Sequence, residues 1–173
     1  DRLLRIDAGF EPDAGESLSS ELNREVGRRI GRRLGAEVDF HRPDVQFLID
    51  LDADETEVQR NSVSIYGRYR KLERDIPQTT WDKYDESVEE LVAPPFLSAF
   101  RGTRAVFHGA GREDVDALML EAGRPFVLEI KEPRRRNADL EELQRAVNEG
   151  TDWKVEIEGA AFATHEMIER VKE

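Results

Sequence analysis

The chain has 173 residues, of which 38 are acidic and 26 basic, and its formal net charge is −12. It contains no cysteine, which excludes disulfides, thiolate metal sites and a cysteine nucleophile. Because no apolar run approaches the ~18 residues of a membrane span and no signal peptide is visible, we expect a soluble cytoplasmic protein without a membrane partner.

The basic residues are unusual in type and in placement. Only five of the 26 are lysine, and this scarcity together with the acidic excess is typical of a halophilic protein. They are concentrated in three stretches, Arg24–Arg33, Arg68–Arg74 and Lys131–Arg136. These stretches are where an otherwise acidic chain can meet nucleic acid phosphates.

The first half of the chain predicts a small α/β unit. Apolar residues recur every fourth position from Leu18 to Leu34, which predicts a helix over 16–34 that ends at Gly35. Strands are predicted at 37–40, 44–50 and 57–69. Pro77 interrupts the following segment, so we place a domain boundary there, between residues 1–74 and 75–173.

The second half predicts an α+β domain with a mixed or antiparallel sheet. Helices are expected at 86–100, broken or ended near Pro94, and at 139–148 and 164–172. Strands are expected at 103–108 and 153–157, with a hairpin of 115–120 and 125–130 turning at 121–123. Trp81 and Trp153 are expected in the core.

The glycine-rich stretch between two apolar runs carries the first candidate site. Asp114 is a carboxylate at the end of a predicted strand, where it can act as a nucleophile or base without a cofactor. Arg112 lies two residues away and can pair with it. From spacing alone, a structural salt bridge is the competing interpretation.

Acidic residues nearby support a rival enzyme hypothesis. Asp114, Asp116, Glu129 and Lys131 have the residue types and the period-two spacing with which magnesium-dependent nucleases hold their metal. Chance produces such a set easily in so acidic a chain, so this reading stays an alternative.

A basic and aromatic segment carries the candidate RNA contacts. Arg68, Tyr69, Arg70 and Lys71 offer phosphate contacts together with a stacking face for unpaired bases. The competing interpretation is the end of an edge strand with solvated charges. A non-catalytic RNA-binding module is therefore a third hypothesis for the chain.

Five blocks of the sequence follow one another in a recognisable order: Tyr66-Gly-Arg-Tyr-Arg-Lys-Leu72, Ile76-Pro-Gln-Thr79 with Trp81, Ser87-Val-Glu-Glu-Leu91, Gly111-Arg-Glu-Asp114 and Gly123-Arg-Pro-Phe-Val-Leu-Glu129. Together they resemble the archaeal and eukaryotic tRNA pseudouridine synthases that modify positions 54 and 55 of the T-loop. One departure is Glu121, which stands where the family usually has a glycine.

This resemblance implies a tRNA-modifying isomerase that needs no cofactor and has the T-loop of tRNA as its partner, and it implies no protein partner. Asp114 would be the catalytic aspartate and Arg112 the arginine that helps displace the target base. Residues 1–74 would be part of a THUMP-like RNA-binding region, and 75–173 the first half of the catalytic domain. The family's zinc-binding cysteines and its active-site tyrosine segment have no counterpart here, so we expect a fragment of such an enzyme and no metal site.

Overall fold

A computed structural model of the protein describes residues 16–111 and 114–172. The elements of these residues, in chain order, are α1 (Leu18–Leu34), β1 (Val45–Asp50), β2 (Glu55–Arg60), β3 (Val63–Lys71), α2 (Val88–Phe100), β4 (Arg104–Gly109), β5 (Met119–Lys131), α3 (Leu140–Gly150), β6 (Val155–Phe162) and α4 (His165–Lys172). The predicted α+β class is confirmed. No helix in these ranges is both long and apolar enough to cross a membrane.

The chain divides into two compact units between Pro43 and Asp44. The described part of the first unit contains α1, which begins after the N-cap Ser17 and ends at Gly35 with a φ of 64°. The helix predicted at 16–34 is therefore confirmed. The strand predicted at 37–40 is wrong, since these exposed residues have no regular structure.

The second unit begins with an exposed antiparallel hairpin of β1 and β2. The single strand predicted at 57–69 is thus two strands, because the chain turns away at Asn61 and Ser62 before β3 begins. The Arg136 guanidinium lies at this turn, where it donates to the Asn61 carbonyl at 2.7 Å and pairs with Asp44 at 2.6 Å. These contacts join the base of the hairpin to the rest of the unit.

A four-stranded antiparallel sheet of order β4-β5-β3-β6 forms the centre of the second unit. Alternate residues of β3, including Ile65 and Tyr69, face a core that α2 and α3 cover. On the opposite sheet face, Val127 packs against α4. Because β3 is an inner strand paired with β5 and β6, residues 63–71 pack with the C-terminal half of the chain. The domain boundary at 74/75 stays a prediction.

The predicted hairpin of 115–120 and 125–130 is wrong, because β5 is one long strand. It carries an irregularity where Lys71 pairs with Met119 while Tyr69 pairs with Arg124. Glu121 and Gly123 adopt positive φ values of 55° and 64°. A Cβ at Gly123 would collide with the Tyr69 carbonyl, so glycine is required there. Residues 120–123 of β5 lie opposite the single residue Arg70 of β3, so they form a bulge in the strand and not a turn.

Helix α2 continues through Pro94 and Pro95 to Phe100, so the predicted break near these prolines is wrong. Its buried residues recur every fourth position and anchor it along its length on the sheet: Val88, Val92, Phe96 and Phe100. Burial of four large side chains outweighs the backbone hydrogen bonds that the prolines remove. Ser87 caps the helix by accepting from the Glu90 N–H at 3.3 Å.

Candidate active-site loop

The loop between β4 and β5 carries Asp114, whose side chain is exposed to solvent. The Ala117 N–H donates to the Asp114 carbonyl at 3.1 Å and closes a tight turn directly behind this residue. Arg112, the predicted partner of Asp114, lies outside the described residues. The structure therefore leaves the Asp114 side chain open to solvent, and its catalytic role stays a prediction.

A buried lysine holds the backbone of this loop. Lys71 at the end of β3 is fully buried, and its Nζ donates to the Val115 carbonyl at 2.9 Å, the Ile76 carbonyl at 3.1 Å and the Asp114 carbonyl at 3.4 Å. An ammonium group carries three N–H donors, which suits three converging carbonyls. Lys71 therefore joins β3, the segment after it and the Asp114 loop at one point.

The segment that follows β3 adds two further contacts to the same loop. The Asp75 N–H donates to the Val115 carbonyl at 3.0 Å, and the Arg74 guanidinium donates to the Asp116 carbonyl at 2.5 Å. Three successive backbone carbonyls of the loop thus accept hydrogen bonds from residues 71–75. The backbone beneath the Asp114 carboxylate is fixed although the loop has no regular structure.

The four residues predicted to contact RNA have different environments. Tyr69 is fully buried, with its ring edge-on to Phe107 and Phe126, and Lys71 is buried beneath the loop. The prediction that these two side chains contact RNA does not fit their positions, because alternation along β3 turns residues 69 and 71 inward. Arg68 and Arg70 project to the other face of the sheet.

Both of these outward arginines have protein partners. Arg68 donates to the carbonyls of Ala122 and Gly123 at 2.5 and 2.7 Å, which stabilises the bulge of β5. Arg70 pairs with Glu156 at 2.8 Å, lies 3.9 Å from Glu158 and remains partly exposed. Arg68 and Arg70 are therefore the two members of the predicted set whose side chains are partly open to solvent.

The acidic residues of the nuclease alternative do not gather as metal ligands. Glu129 lies 3.0 Å from His108 Nε2 and 3.1 Å from Lys131 Nζ, so its two oxygens are engaged on the sheet. In residues 16–111 and 114–172, no group of three histidine, aspartate or glutamate side chains is arranged to hold a metal ion. The geometry gives the nuclease hypothesis no support.

Comparison with known proteins identifies the family. The model of the C-terminal Pus10 domain matches residues 64–173, and the model of the archaeal Pus10 THUMP domain matches residues 1–50. The chain belongs to the Pus10 family. The THUMP-like region expected in the first half agrees with the second of these matches, which ends earlier than the predicted residue 74.

Curated relatives of the chain carry the name tRNA pseudouridine synthase Pus10. The protein of Halorubrum lacusprofundi is 53% identical over 194 aligned residues, covering 99% of this chain and 45% of the relative. Those of Methanothrix thermoacetophila and Thermofilum pendens are 41% and 40% identical over 91% and 92% of this chain, and 38% and 37% of their own lengths. The chain thus spans less than half the length of these Pus10 relatives.

A second contact area lies between Gln78 and the start of the Asp114 loop. A Cβ at Gly109 would collide with the Gln78 side-chain amide, so the missing side chain of Gly109 lets the two segments meet. The Gln78 carbonyl accepts from the Glu89 N–H at 3.1 Å, and the Pro77 carbonyl accepts from the Val88 N–H at 2.9 Å. The segment after β3 is therefore anchored at one end to the loop and at the other to α2.

Two features of this Pus10 region were missed from the sequence. Lys71 was assigned to RNA although it holds the loop, and the alternation of β3, which places it on the same face as Ile65 and Tyr69, is the signal that predicts its burial. Trp81 and Trp153 were expected in the core but are 51% and 62% exposed. Both lie in irregular segments, where sequence periodicity gives no inward face.

Glu89 at the start of α2 is a titrating group beside this region. Burial raises the pKa of its carboxyl above the ordinary 4.5, and the Glu90 carboxylate adds to the rise, while His108 and the Phe107 N–H oppose it. At pH values between the ordinary and the raised pKa, Glu89 is protonated more often in the folded protein than in the unfolded chain. Stability attributable to Glu89 therefore falls as the pH rises through this window.

Replacing Glu89 by glutamine removes this cost, because the amide does not ionise. We expect Glu89→Gln to be more stable than wild type at pH 7, with the difference disappearing as the pH falls below about 3.5, where the carboxyl is protonated in both states. Urea unfolding across this pH range measures it. A difference that is the same at both ends of the range would contradict the assignment.

Replacing Lys71 by methionine keeps much of the side-chain volume but leaves three carbonyls without this donor. We expect Lys71→Met to lose about 2–3 kcal/mol of unfolding free energy. Amide hydrogen exchange should accelerate most at Asp75 and Ala117, whose N–H groups donate to loop carbonyls. Lys131→Met, which removes a partly exposed lysine on the sheet, is the control. Unchanged exchange at both amides would show that Lys71 does not hold the loop.

Proposed function

We propose that this chain carries the catalytic aspartate of a tRNA pseudouridine synthase that isomerises uridine at position 54 or 55 of the T-loop. The observation that carries the proposal is an exposed Asp114 carboxylate on a fixed backbone, inside the region that matches the C-terminal Pus10 domain. The names of the relatives supply the reaction class, and the sequence block Gly111-Arg-Glu-Asp114 supplies the residue.

The reaction needs a carboxylate and no cofactor. The target uridine leaves the base stack, as in other enzymes that act on bases. Asp114 either bonds to C1′ of the sugar and displaces the uracil nitrogen N1, or removes the C2′ proton so that the same bond to N1 breaks by elimination. The released uracil turns within the pocket and its C5 bonds to C1′, which breaks the bond to Asp114 in the first case and is accompanied by return of the proton from Asp114 to C2′ in the second. The proton on C5 is then lost and N1 gains one. Product and substrate have the same composition, so the class is isomerase.

A carboxylate that is exposed on a fixed backbone, as at Asp114, suits this chemistry. A group that must meet a flipped nucleotide has to reach solvent, yet a misplacement of about 1 Å can cost a hundredfold in rate. Lys71, Arg74 and Asp75 donate hydrogen bonds to the carbonyls of residues 114–116. The backbone is thus held without the Asp114 side chain. Arg112, two residues before it, is proposed to fill the space of the displaced base.

The substrate proposed for this site is the T-loop of tRNA. Arg70 is proposed to contact its phosphates, because its side chain is partly exposed; a phosphate there would compete with Glu156 at 2.8 Å and Glu158 at 3.9 Å. Arg68 would contribute chiefly by fixing the bulge of β5. A cytoplasmic location, where tRNA is modified, stays a prediction.

Asp114→Asn in the full-length protein tests the proposal. The amide has nearly the same shape but cannot act as a nucleophile, so we expect pseudouridine formation to fall by at least about 1,000-fold. Binding of an unmodified tRNA transcript should remain within about twofold of wild type. Pseudouridine is measured by mass spectrometry after chemical labelling, in transcripts with uridine at 54, at 55 or at both.

Asp116→Asn is the matched control, since Asp116 is also exposed on this loop and is held through its carbonyl. It should retain turnover. Full turnover in Asp114→Asn would refute the catalytic role. Salt-sensitive tRNA binding by wild type without any pseudouridine would instead favour a non-catalytic RNA-binding module.

A further inference from the structure

An aromatic cluster with an exposed tryptophan lies in the segment between β3 and α2. Trp81 and Tyr84 have ring centroids 5.2 Å apart, and Trp81 is 51% exposed. The Lys83 ammonium lies over both rings, 5.9 Å from the Trp81 centroid and 5.7 Å from that of Tyr84. The function described above uses none of these three side chains.

Local contacts hold the cluster in shape. The Tyr84 N–H donates to the Trp81 carbonyl at 2.9 Å, which closes a turn and brings the two rings together. The cation above the rings adds a weak attraction that helps to hold them. Aromatic rings held in place in the absence of a ligand bind at a smaller entropic cost than mobile ones.

The cluster is also tied to the candidate active site. Gln78, three residues before Trp81, packs against Gly109 at the start of the Asp114 loop. Glu86, five residues after Trp81, pairs with Lys154 beside β6. The aromatic segment is therefore anchored on both sides, and one anchor is the end of β4, the strand that leads into the loop of the proposed catalytic residue.

We propose that Trp81 and Tyr84 form a stacking surface for an unpaired nucleobase of the RNA substrate, next to the nucleotide that Asp114 acts on. This inference rests on the proposed function, which supplies RNA as the ligand. Stacking on aromatic side chains is the general way in which proteins hold single-stranded and looped RNA. A T-loop provides such unpaired bases around its target uridine.

The charges of the segment indicate stacking and not phosphate binding as its contribution. Asp82 and Asp85 flank Lys83, and both acids are exposed. One lysine between two carboxylates attracts a phosphate only weakly. The affinity that Trp81 supplies should therefore change little with salt, unlike contacts made through arginine or lysine to phosphates.

The test uses the full-length protein with Asp114→Asn as background, so that binding is separated from turnover. We expect Trp81→Ala to weaken binding of an unmodified tRNA transcript about tenfold, which is the usual order for the loss of one stacked base, and Trp81→Phe to recover much of it. The slope of the logarithm of Kd against the logarithm of salt concentration should stay the same. In the active protein, Trp81→Ala should lower pseudouridine formation at limiting tRNA.

Trp153→Ala is the matched control, because Trp153 is also exposed but has neither an aromatic partner nor a cation over its ring in the part of the chain described. It should leave the Kd unchanged. The stacking proposal is overturned if Trp81→Ala binds tRNA like its background protein. It is overturned equally if Trp81→Ala lowers the melting temperature with no change in Kd, which would mean that protein covers this surface.

A failure of the proposed function would look different from a failure of this inference. If wild type forms no pseudouridine, the isomerase proposal fails regardless of Trp81. If wild type forms pseudouridine and Trp81→Ala matches it in both Kd and turnover, the isomerase proposal stands and the stacking surface does not.

Discussion

The contacts of Lys71 with three backbone carbonyls are the interaction on which the candidate site depends. Removing an amino group from water is costly unless its N–H groups find acceptors, and here the carbonyls of Ile76, Asp114 and Val115 provide them. The carbonyls of Asp114 and Val115 also need donors, because these residues are not paired in a sheet or helix. Each side satisfies the other, so the backbone of residues 114–116 is held although these residues lie in no strand or helix.

The sheet makes this arrangement possible by bringing together segments that are far apart in sequence. Lys71 ends the inner strand β3, while Asp114 lies between β4 and β5, and antiparallel pairing of β3 with β5 places the two at the same end of the sheet. The bulge of β5 opposite Tyr69, held by Arg68, lets the strand follow this path. The Asp114 carboxylate is then presented outward, while the structure that orients it lies in the interior.

The sequence predicted elements well where apolar residues recur periodically and poorly where contacts distant in sequence decide. Helix α1 follows from its four-residue repeat and its caps. The bulge at Glu121 and Gly123 was predicted as a turn from the sequence, because turns and bulges both contain residues with positive φ. Only the pairing of this segment with β3 shows that it is a bulge. Asp114 was singled out because it follows an apolar strand in a recognisable block, whereas the position of Lys71 beneath it depends on the sheet register and needed the structure.

The most direct measurement of the central claim is an NMR spectrum of the lysine ammonium groups in the ¹⁵N-labelled full-length protein. A buried, hydrogen-bonded Lys71 should give a slowly exchanging ¹⁵Nζ signal at neutral pH, with cross-peaks to Ile76 and Val115. The exposed Lys83 should exchange too fast to be seen under the same conditions. A Lys71 signal that exchanges as fast as that of Lys83, or lacks contacts to the loop, would contradict the account.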